Sequence, residues 1–296
     1  MKVFVTGATG FIGSAVIPQL LNAGHQVLGL TRSDHGALAI KAAGAEPHRG
    51  SLEDLDSLER GAAQADAVIH TAFIHDGFDN FKHNSEVDQK AIEAIGSILK
   101  GSGKRLVVSA GIGRYAVGRP VTEEDLPPPN SPVPRVSEQA AAALAPDGVS
   151  VGVMRLPQVH DTVKQGLVTF LIAIARRTGK SAYIGTGENH WVAAHISDVA
   201  VLYRMALEEN LSVGRYHAVA EGGVTLREIA ETIGRGLKLP VVSLSPEDGA
   251  KHFGSLAMFV GADVTASSKL TRERLGWNPT GPSLITDLQN MNYSAA

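Results

Sequence analysis

The sequence predicts a doubly wound α/β fold: a parallel sheet covered by helices on both faces, followed by a smaller lobe. Three observations carry this. Apolar β-type runs alternate with amphipathic segments through the first 155 residues, the pattern of strand–helix repetition. The runs are near-continuous in Val, Ile and Leu, as suits strands buried on both faces. A glycine-rich segment joins the first run to the first helical pattern.

Taken in order, Lys2–Thr6 (KVFVT) is the first strand and Phe11–Ala23 the helix after it. His25–Thr31 is the second strand, His35–Ala43 a helix, and Ala45–His48 a short strand completing the first half. Leu52–Ala63 reads as helix, Ala67–Thr71 as the fourth strand and Asn80–Lys100 as a long helix. Arg105–Ser109 is the fifth strand, Val136–Ala145 a helix and Val149–Arg155 the sixth strand. Before that helix, Pro127, Pro128, Pro129, Pro132 and Pro134 place five of the 14 prolines within eight residues. Such a segment is neither helix nor central strand, and connections leaving strand C-termini are where open α/β folds bind ligands. Beyond it lie a helix (Val163–Thr178), a strand (Ser181–Ile184) and a helix from Ser197 or Asp198, with Asp198 as its N-cap. A strand (Arg215–Ala218), a helix (Leu226–Leu237) and further short helices follow. The reading divides the chain into a first domain, 1–160, and a smaller substrate-side lobe, 161–296, of which about 195–218 returns to the sheet.

Composition narrows the function. The net charge is −3 over 296 residues, which argues against a protein held to nucleic acid by a broad basic face. There is no cysteine, which excludes disulfides, thiolate chemistry and sulfur-ligated zinc. The apolar stretch Leu167–Ala175 is too short to span a bilayer, and no leader-like segment opens the chain. The expectation is a cytoplasmic protein without membrane or nucleic-acid partners.

Gly7-Ala8-Thr9-Gly10-Phe11-Ile12-Gly13 lies between a strand and a helix, the context of a dinucleotide-binding loop. Gly7 permits the tight turn, Gly10 lets backbone amides approach a pyrophosphate, and Gly13 allows close helix–strand packing. The amides and dipole of the helix N-terminus then hold the anion. The second strand ends Leu30-Thr31-Arg32-Ser33, with no carboxylate placed to bond an adenosine ribose 2′-hydroxyl. Arg32 pairs well with a 2′-phosphate and Ser33 donates to it, so NADP(H) is expected in preference to NAD(H).

The motifs TGATGFIG (Thr6–Gly13), VIHTAF (Val68–Phe73), RLVVS (Arg105–Ser109), MRLPQVH (Met154–His160) and AAHISDVA (Ala193–Ala200) resemble the extended or atypical short-chain dehydrogenase/reductases. That group includes NAD-dependent epimerase/dehydratase and NmrA-like relatives, with a Rossmann dinucleotide-binding domain. The resemblance covers nearly the whole chain. It implies that Gly7, Thr9, Gly10, Phe11, Ile12, Gly13, Arg32 and Ser33 line the adenine and phosphate end, with Ser51 and Leu52 touching the adenine. It implies that Thr71, Ala72 and Phe73 follow the cofactor ribose, and that Pro157, Gln158 and Val159 border the nicotinamide. It also suggests a homodimer through the Asn80–Lys100 helix.

The usual engine of that group is a Tyr and a Lys four residues apart on one helix face, with a Ser after the fifth strand. None of the five tyrosines has a Lys four positions later. Tyr115 with Arg119 comes nearest, but that pair sits in a Gly118/Pro120 loop and shares no helix face. One alignment puts Asn130 and Pro134 in the Tyr and Lys positions; a one-residue shift puts Ser131 and Arg135 there. The second is preferred because Arg135 supplies a cation. Ser109 (with Gly111 as rival for its slot) and His160, beside the expected nicotinamide pocket, complete the catalytic candidates. His195 and Asp198 are assigned to architecture, and Leu275–Pro279 to a structural closing turn. Trp191, Tyr183 and Phe170 are either an aromatic wall or core. No histidine spacing, at His70 and His75 included, spells a metal site. The leading expectation is an NADP(H)-dependent oxidoreductase acting on a small carbonyl or alcohol. The alternatives are a redox sensor that binds NADP(H) without turnover, and an epimerase, isomerase or lyase using bound cofactor transiently.

Overall fold

The computed structural model describes residues 1–75, 80–128, 133, 135–209, 211 and 213–294. The first half reads β1 (Lys2–Thr6), α1 (Phe11–Asn22), β2 (Gln26–Thr31), α2 (Asp34–Ala42), β3 (Glu46–Arg49), α3 (Leu55–Ala63) and β4 (Ala67–His70). Next come α4 (Phe81–Leu99), β5 (Arg105–Gly111), α5 (Ser137–Ala142), β6 (Ser150–Leu156) and β7 (Gln158–His160). The remainder is α6 (Val168–Thr178), β8 (Ser181–Ile184), β9 (His190–His195), α7 (Ile196–Glu208), β10 (Val213–His217), β11 (Glu221–Thr225) and α8 (Leu226–Leu237). It closes with β12 (Val241–Leu244), α9 (Pro246–Phe253), α10 (Ala257–Val260), α11 (Lys269–Leu275) and α12 (Leu284–Asn290).

Seven strands form one sheet in the order β3-β2-β1-β4-β5-β6-β10, every neighbouring pair parallel. The doubly wound α/β fold class is thus present, and its strand order reverses between β1 and β4, where such sheets open a ligand crevice. Strand side chains alternate between two helix layers. Val3 and Val5 share a core with Val16, Ile17 and Leu20 of α1 and Leu202 and Tyr203 of α7. Phe4, between them, joins Leu58 of α3 and Ile92 and Ile95 of α4 on the opposite face. The edge strand β3 carries Pro47, tolerable where no outer neighbour needs its amide.

The second lobe has its own core, in which α6 and α8 pack with Trp191 of β9. It holds a three-stranded sheet, β11-β9-β7, and a two-stranded parallel pair, β12 and β8. The chain returns to the large sheet through α7, which packs on α1, and β10, which pairs with β6.

Several boundaries differ from expectation for local reasons. The helix expected from Val163 begins at Val168, because Asp161 turns the chain by accepting from the amides of Val163 and Lys164, both at 2.7 Å. The helix expected from Leu52 starts at Leu55, capped by Asp54. Asp198 is not the N-cap of α7: His195 takes that place, accepting from the Ser197 amide. Asp198 instead accepts from the amides of Thr280 (3.1 Å) and Gly281 (2.8 Å), while its carbonyl takes the Trp277 indole N–H (3.0 Å). It fastens the C-terminal turn to α7. Replacing it, Asp198→Ala, leaves those amides unpaired and is expected to lower stability by about 1–3 kcal/mol, read as a fall in the midpoint of urea unfolding.

Candidate active site

The C-terminal ends of β1, β4, β5 and β6 open into a cleft of about 1450 Å³ between the sheet and the second lobe. Small-ligand pockets usually run to roughly 300–1000 Å³, so there is room for more than one ligand. At its floor Gly7 takes a left-handed backbone with φ +67°. A Cβ on Gly7 would fall 2.7 Å from Thr71 Oγ1, and one on Gly13 only 2.2 Å from the Gly7 carbonyl oxygen. The head of α1 therefore presses directly on the ends of β1 and β4. Its N-cap is Gly10, which offers no side-chain cap, and its first turn holds no acidic residue. The N–H groups of Phe11, Ile12 and Gly13 are thus left at the cleft wall for an anion. Thr9 lies beside them. The residues present fit the pyrophosphate of a dinucleotide.

Arg32, Ser51 and Leu52 line one end of the cleft. Arg32 makes no ion pair with any described residue, whereas the following carboxylate, Asp34, is drawn aside to Arg49 at 2.6 Å. Ser33 is not among the residues lining the cleft; its hydroxyl caps α2 by accepting from the Gly36 amide at 3.0 Å, which leaves its own proton to donate. Thr71 and Ala72, after β4, abut Gly7 at the cleft floor; beyond them, toward the far end, Phe73 and, after β6, Pro157, Gln158 and Val159 line the same cleft.

Arg135 enters this far end. Its Nε donates to Ser137 Oγ (2.8 Å), its Nη2 donates to the Ser109 carbonyl (2.9 Å), and its guanidinium lies 4.2 Å from the centre of the Phe73 ring. Nη1 makes no hydrogen bond with a described residue. Behind Arg135 runs a buried polar chain. Ser137 Oγ donates to Asp88 Oδ2 (2.5 Å), Asp88 Oδ1 meets His70 Nε2 (3.0 Å), and His70 Nδ1 meets Thr6 Oγ1 (2.9 Å). Burial pushes the Asp88 carboxyl up, but the hydrogen bond and charge of His70, with Arg135 and Ser137 beyond, outweigh that and hold it below its ordinary value. The head of α5 is itself pinned. Glu138 accepts from fully buried Arg155 through Nε (2.8 Å) and Nη2 (2.7 Å), and from Arg215 of β10 (2.8 Å). Removing either partner of such a buried pair costs about 3–5 kcal/mol.

Two catalytic candidates are displaced. Ser109 is 2 % exposed; its hydroxyl donates to the His70 carbonyl (2.8 Å) and bonds Tyr203 Oη (2.6 Å) on the α7 side. Only its carbonyl serves the cleft, by holding Arg135. His160, the last residue of β7, is fully buried and bonded through Nδ1 to Asp287 of α12 at 2.7 Å, with Glu221 3.6 Å from Nε2. It ties the second-lobe sheet to the C-terminal helix and does not face the cleft. Asn130, Ser131 and Pro134 lie outside the described residues. Gly111, Trp191 and Phe170 line the cleft, and Tyr183 does not.

Sequence reasoning passed over Tyr115, because no helix face joins it to a cation. The structure puts its ring in the cleft wall, with Oη donating to the Gly111 carbonyl at 2.9 Å. Burial, with Glu138 adding to it, raises the phenol above its ordinary value, while Arg155 and Arg135 pull the other way. Thr6, His70, Asp88 and Ser137 were also unseen as a group. The one local signal was a histidine ending the otherwise apolar run Ala67–His70. Among the described residues no three metal-binding side chains gather into a metal site, and no helix is long and apolar enough to cross a membrane.

Because its native value lies below the ordinary 3.8, Asp88 adds stability above about pH 4 that disappears as pH falls through the lowered value. Asp88→Asn is expected to lower stability near neutrality by about 1–3 kcal/mol and to flatten the acid limb of stability against pH, measured by thermal unfolding.

Comparison with known proteins agrees with this architecture. The family model described as NAD dependent epimerase/dehydratase family matches residues 3–220. An uncharacterized protein of Schizosaccharomyces pombe is 44% identical over 99% of this chain and 100% of its own length. The UDP-glucose 4-epimerase of Streptomyces lividans is 28% identical, covering 96% of this chain and 93% of that protein. The structure of Thermus thermophilus UDP-glucose 4-epimerase in complex with NAD shares the fold at a TM-score of 0.77 and 19% identity, with 100% of both chains covered. A parallel sheet that reverses between β1 and β4, an uncapped helix head over that point and a family match across 3–220 together place this chain in the NAD-dependent epimerase/dehydratase family.

Proposed function

We propose that the protein is an NADP(H)-dependent oxidoreductase acting on a carbonyl or alcohol carbon through a non-standard catalytic pair, Arg135 and Tyr115. The observation that carries this is a single cleft running from the uncapped head of α1 to a guanidinium with one free edge. The helix amides hold the pyrophosphate, and Arg32 meets the 2′-phosphate. When bound there, a nicotinamide cofactor supplies or accepts a hydride.

The chain's own residues then handle the oxygen. Arg135 polarises the carbonyl through its free edge, in a walled site where such a charge acts more strongly than in water. Tyr115, kept protonated by burial, would turn its hydroxyl from the Gly111 carbonyl to that oxygen, give it the proton and regain one from solvent. In the alcohol direction both transfers reverse. Ser137 and Asp88 orient Arg135. A cytoplasmic location and a homodimer through α4 belong to the same reading.

The direct assay follows nicotinamide absorbance with NADPH or NADP⁺ against aldehydes, ketones and alcohols. UDP-glucose, named for the epimerase relatives, is the rival substrate. Product formed without net cofactor consumption would assign an epimerase, isomerase or lyase instead; cofactor binding without any turnover would leave the redox sensor. Arg32→Ala is expected to weaken NADPH by about 10- to 100-fold, the worth of a charge-assisted pair, and to leave NADH nearly unchanged in calorimetric titration. Tyr115→Phe is expected to lower kcat by about 10²-fold with KM little altered. An unchanged kcat would remove Tyr115 from the mechanism.

A further inference from the structure

The cleft changes character along its length. Around the head of α1 it is polar, with exposed amides, Arg32 and Ser51. Past the ends of β5 and β6 the walls come from the start of α4, from α6, from β9 and from α10, and aromatic rings are their largest part. Phe73 packs against Phe81 with ring centres 5.5 Å apart, and Phe81 reaches Phe259 of α10 at 6.4 Å. These rings run from the sheet to the second lobe, with Phe170 and Trp191 also lining the cleft. The Trp191 indole N–H is spent on the Phe259 carbonyl at 3.0 Å, so Trp191 has no polar atom left to offer a ligand.

Besides Arg32, the cations lining the cleft are Lys164, Arg114 and Arg135. Lys164 hangs over the Phe11 ring at 6.0 Å, at the phosphate-loop end. Arg114 lies within electrostatic reach of Asp263. Arg135 is stacked on Phe73 and reaches the Asp88 carboxylate through Ser137. A second diphosphate would need a fork of cations, and a sugar ring would need partners for several hydroxyls. The polar side chains His75, His83, Asn84 and Thr169 also line the cleft, set within a larger apolar surface.

We infer that the second ligand is an apolar, phosphate-free carbonyl compound, an aryl or alicyclic ketone or aldehyde, seated among Phe73, Phe170, Trp191 and Phe259 with its oxygen on Arg135. This rests on the reading of the other end as the cofactor site. The family fold is thus joined to a chamber with a continuous aromatic wall. Apolar area contributes most of the affinity, and the single guanidinium fixes the orientation.

The test is binding, so it needs no turnover. The full-length protein is saturated with NADP⁺ and titrated in a calorimeter with acetophenone, with 1-tetralone and with UDP-glucose. At least one ketone is expected to bind about tenfold or more tightly than UDP-glucose. Phe170→Ser, at a half-exposed position, and Phe259→Ser are each expected to weaken the ketone about tenfold and to leave the NADP⁺ dissociation constant unchanged. UDP-glucose binding as tightly as both ketones, no ketone binding, or no loss of ketone affinity in either variant overturns the inference. Ketone titration into nucleotide-free protein separates the two claims. If NADP⁺ does not bind but ketones still do, with both serine variants weaker, the cofactor reading falls and the apolar chamber stands.

Discussion

The ligand end of the molecule depends on how closely the head of α1 approaches the ends of β1 and β4. No Cβ fits at Gly7 or Gly13, so the two backbones meet without side chains between them. That contact brings the first-turn amides to the cleft floor, and the lack of any capping side chain leaves them free for an anion. The other end of α1 compensates for what its head lacks. Val16, Ile17 and Leu20 are buried against Leu202 and Tyr203 of α7, so packing holds the helix where capping does not. An acidic residue in the first turn would satisfy the same amides and compete with the ligand.

The interior carries more charge than a hydrophobic core requires, and it is arranged so that each group is satisfied by the next. Arg155 and Arg215 converge on Glu138 and fix the head of α5. From that head Ser137 mediates between Asp88 and Arg135. A direct carboxylate–guanidinium pair would set the counter-charge against Arg135 itself. The hydroxyl adapter keeps the cation oriented, places its counter-charge one hydrogen bond away, and leaves Nη1 open to a ligand. The other end of the chain, at Thr6, is the last residue of β1 and directly precedes the phosphate loop, so the loop and the cation share one continuous set of contacts.

Family membership here fixes the scaffold and the dinucleotide end more firmly than the chemistry. The fold hosts epimerases and dehydratases, and function resides in the side chains at the far end of the cleft. At that end of this chain's cleft stand an arginine arriving from beyond the proline-rich connection, a tyrosine from the loop after β5, and aromatic rings of the second lobe. The same architecture thereby separates a helix head open to an anion from a far end built by loops and the second lobe.

Local pattern determined much of this protein. The strand periodicities, the glycine spacing after β1 and the absence of a carboxylate at the end of β2 depend on residues near one another in the chain, so Lys2–Thr6, Ser181–Ile184 and Leu226–Leu237 could be read to the residue. The strands β7, β9, β11 and β12 escaped that reading. They are short and gain their pairing from distant segments, as when His190–His195 lies between Gln158–His160 and Glu221–Thr225. The direction in which a polar side chain points was decided only by tertiary structure. Ser109 and His160 sit where sequence placed them along the chain, yet both turn into the interior, because a hydroxyl or imidazole on a strand takes whichever buried partner the neighbouring layer supplies. Tyr115 and Arg135, twenty residues apart without a shared helix, both line the cleft because β5 offers two carbonyls, at Gly111 and Ser109, on which to anchor them.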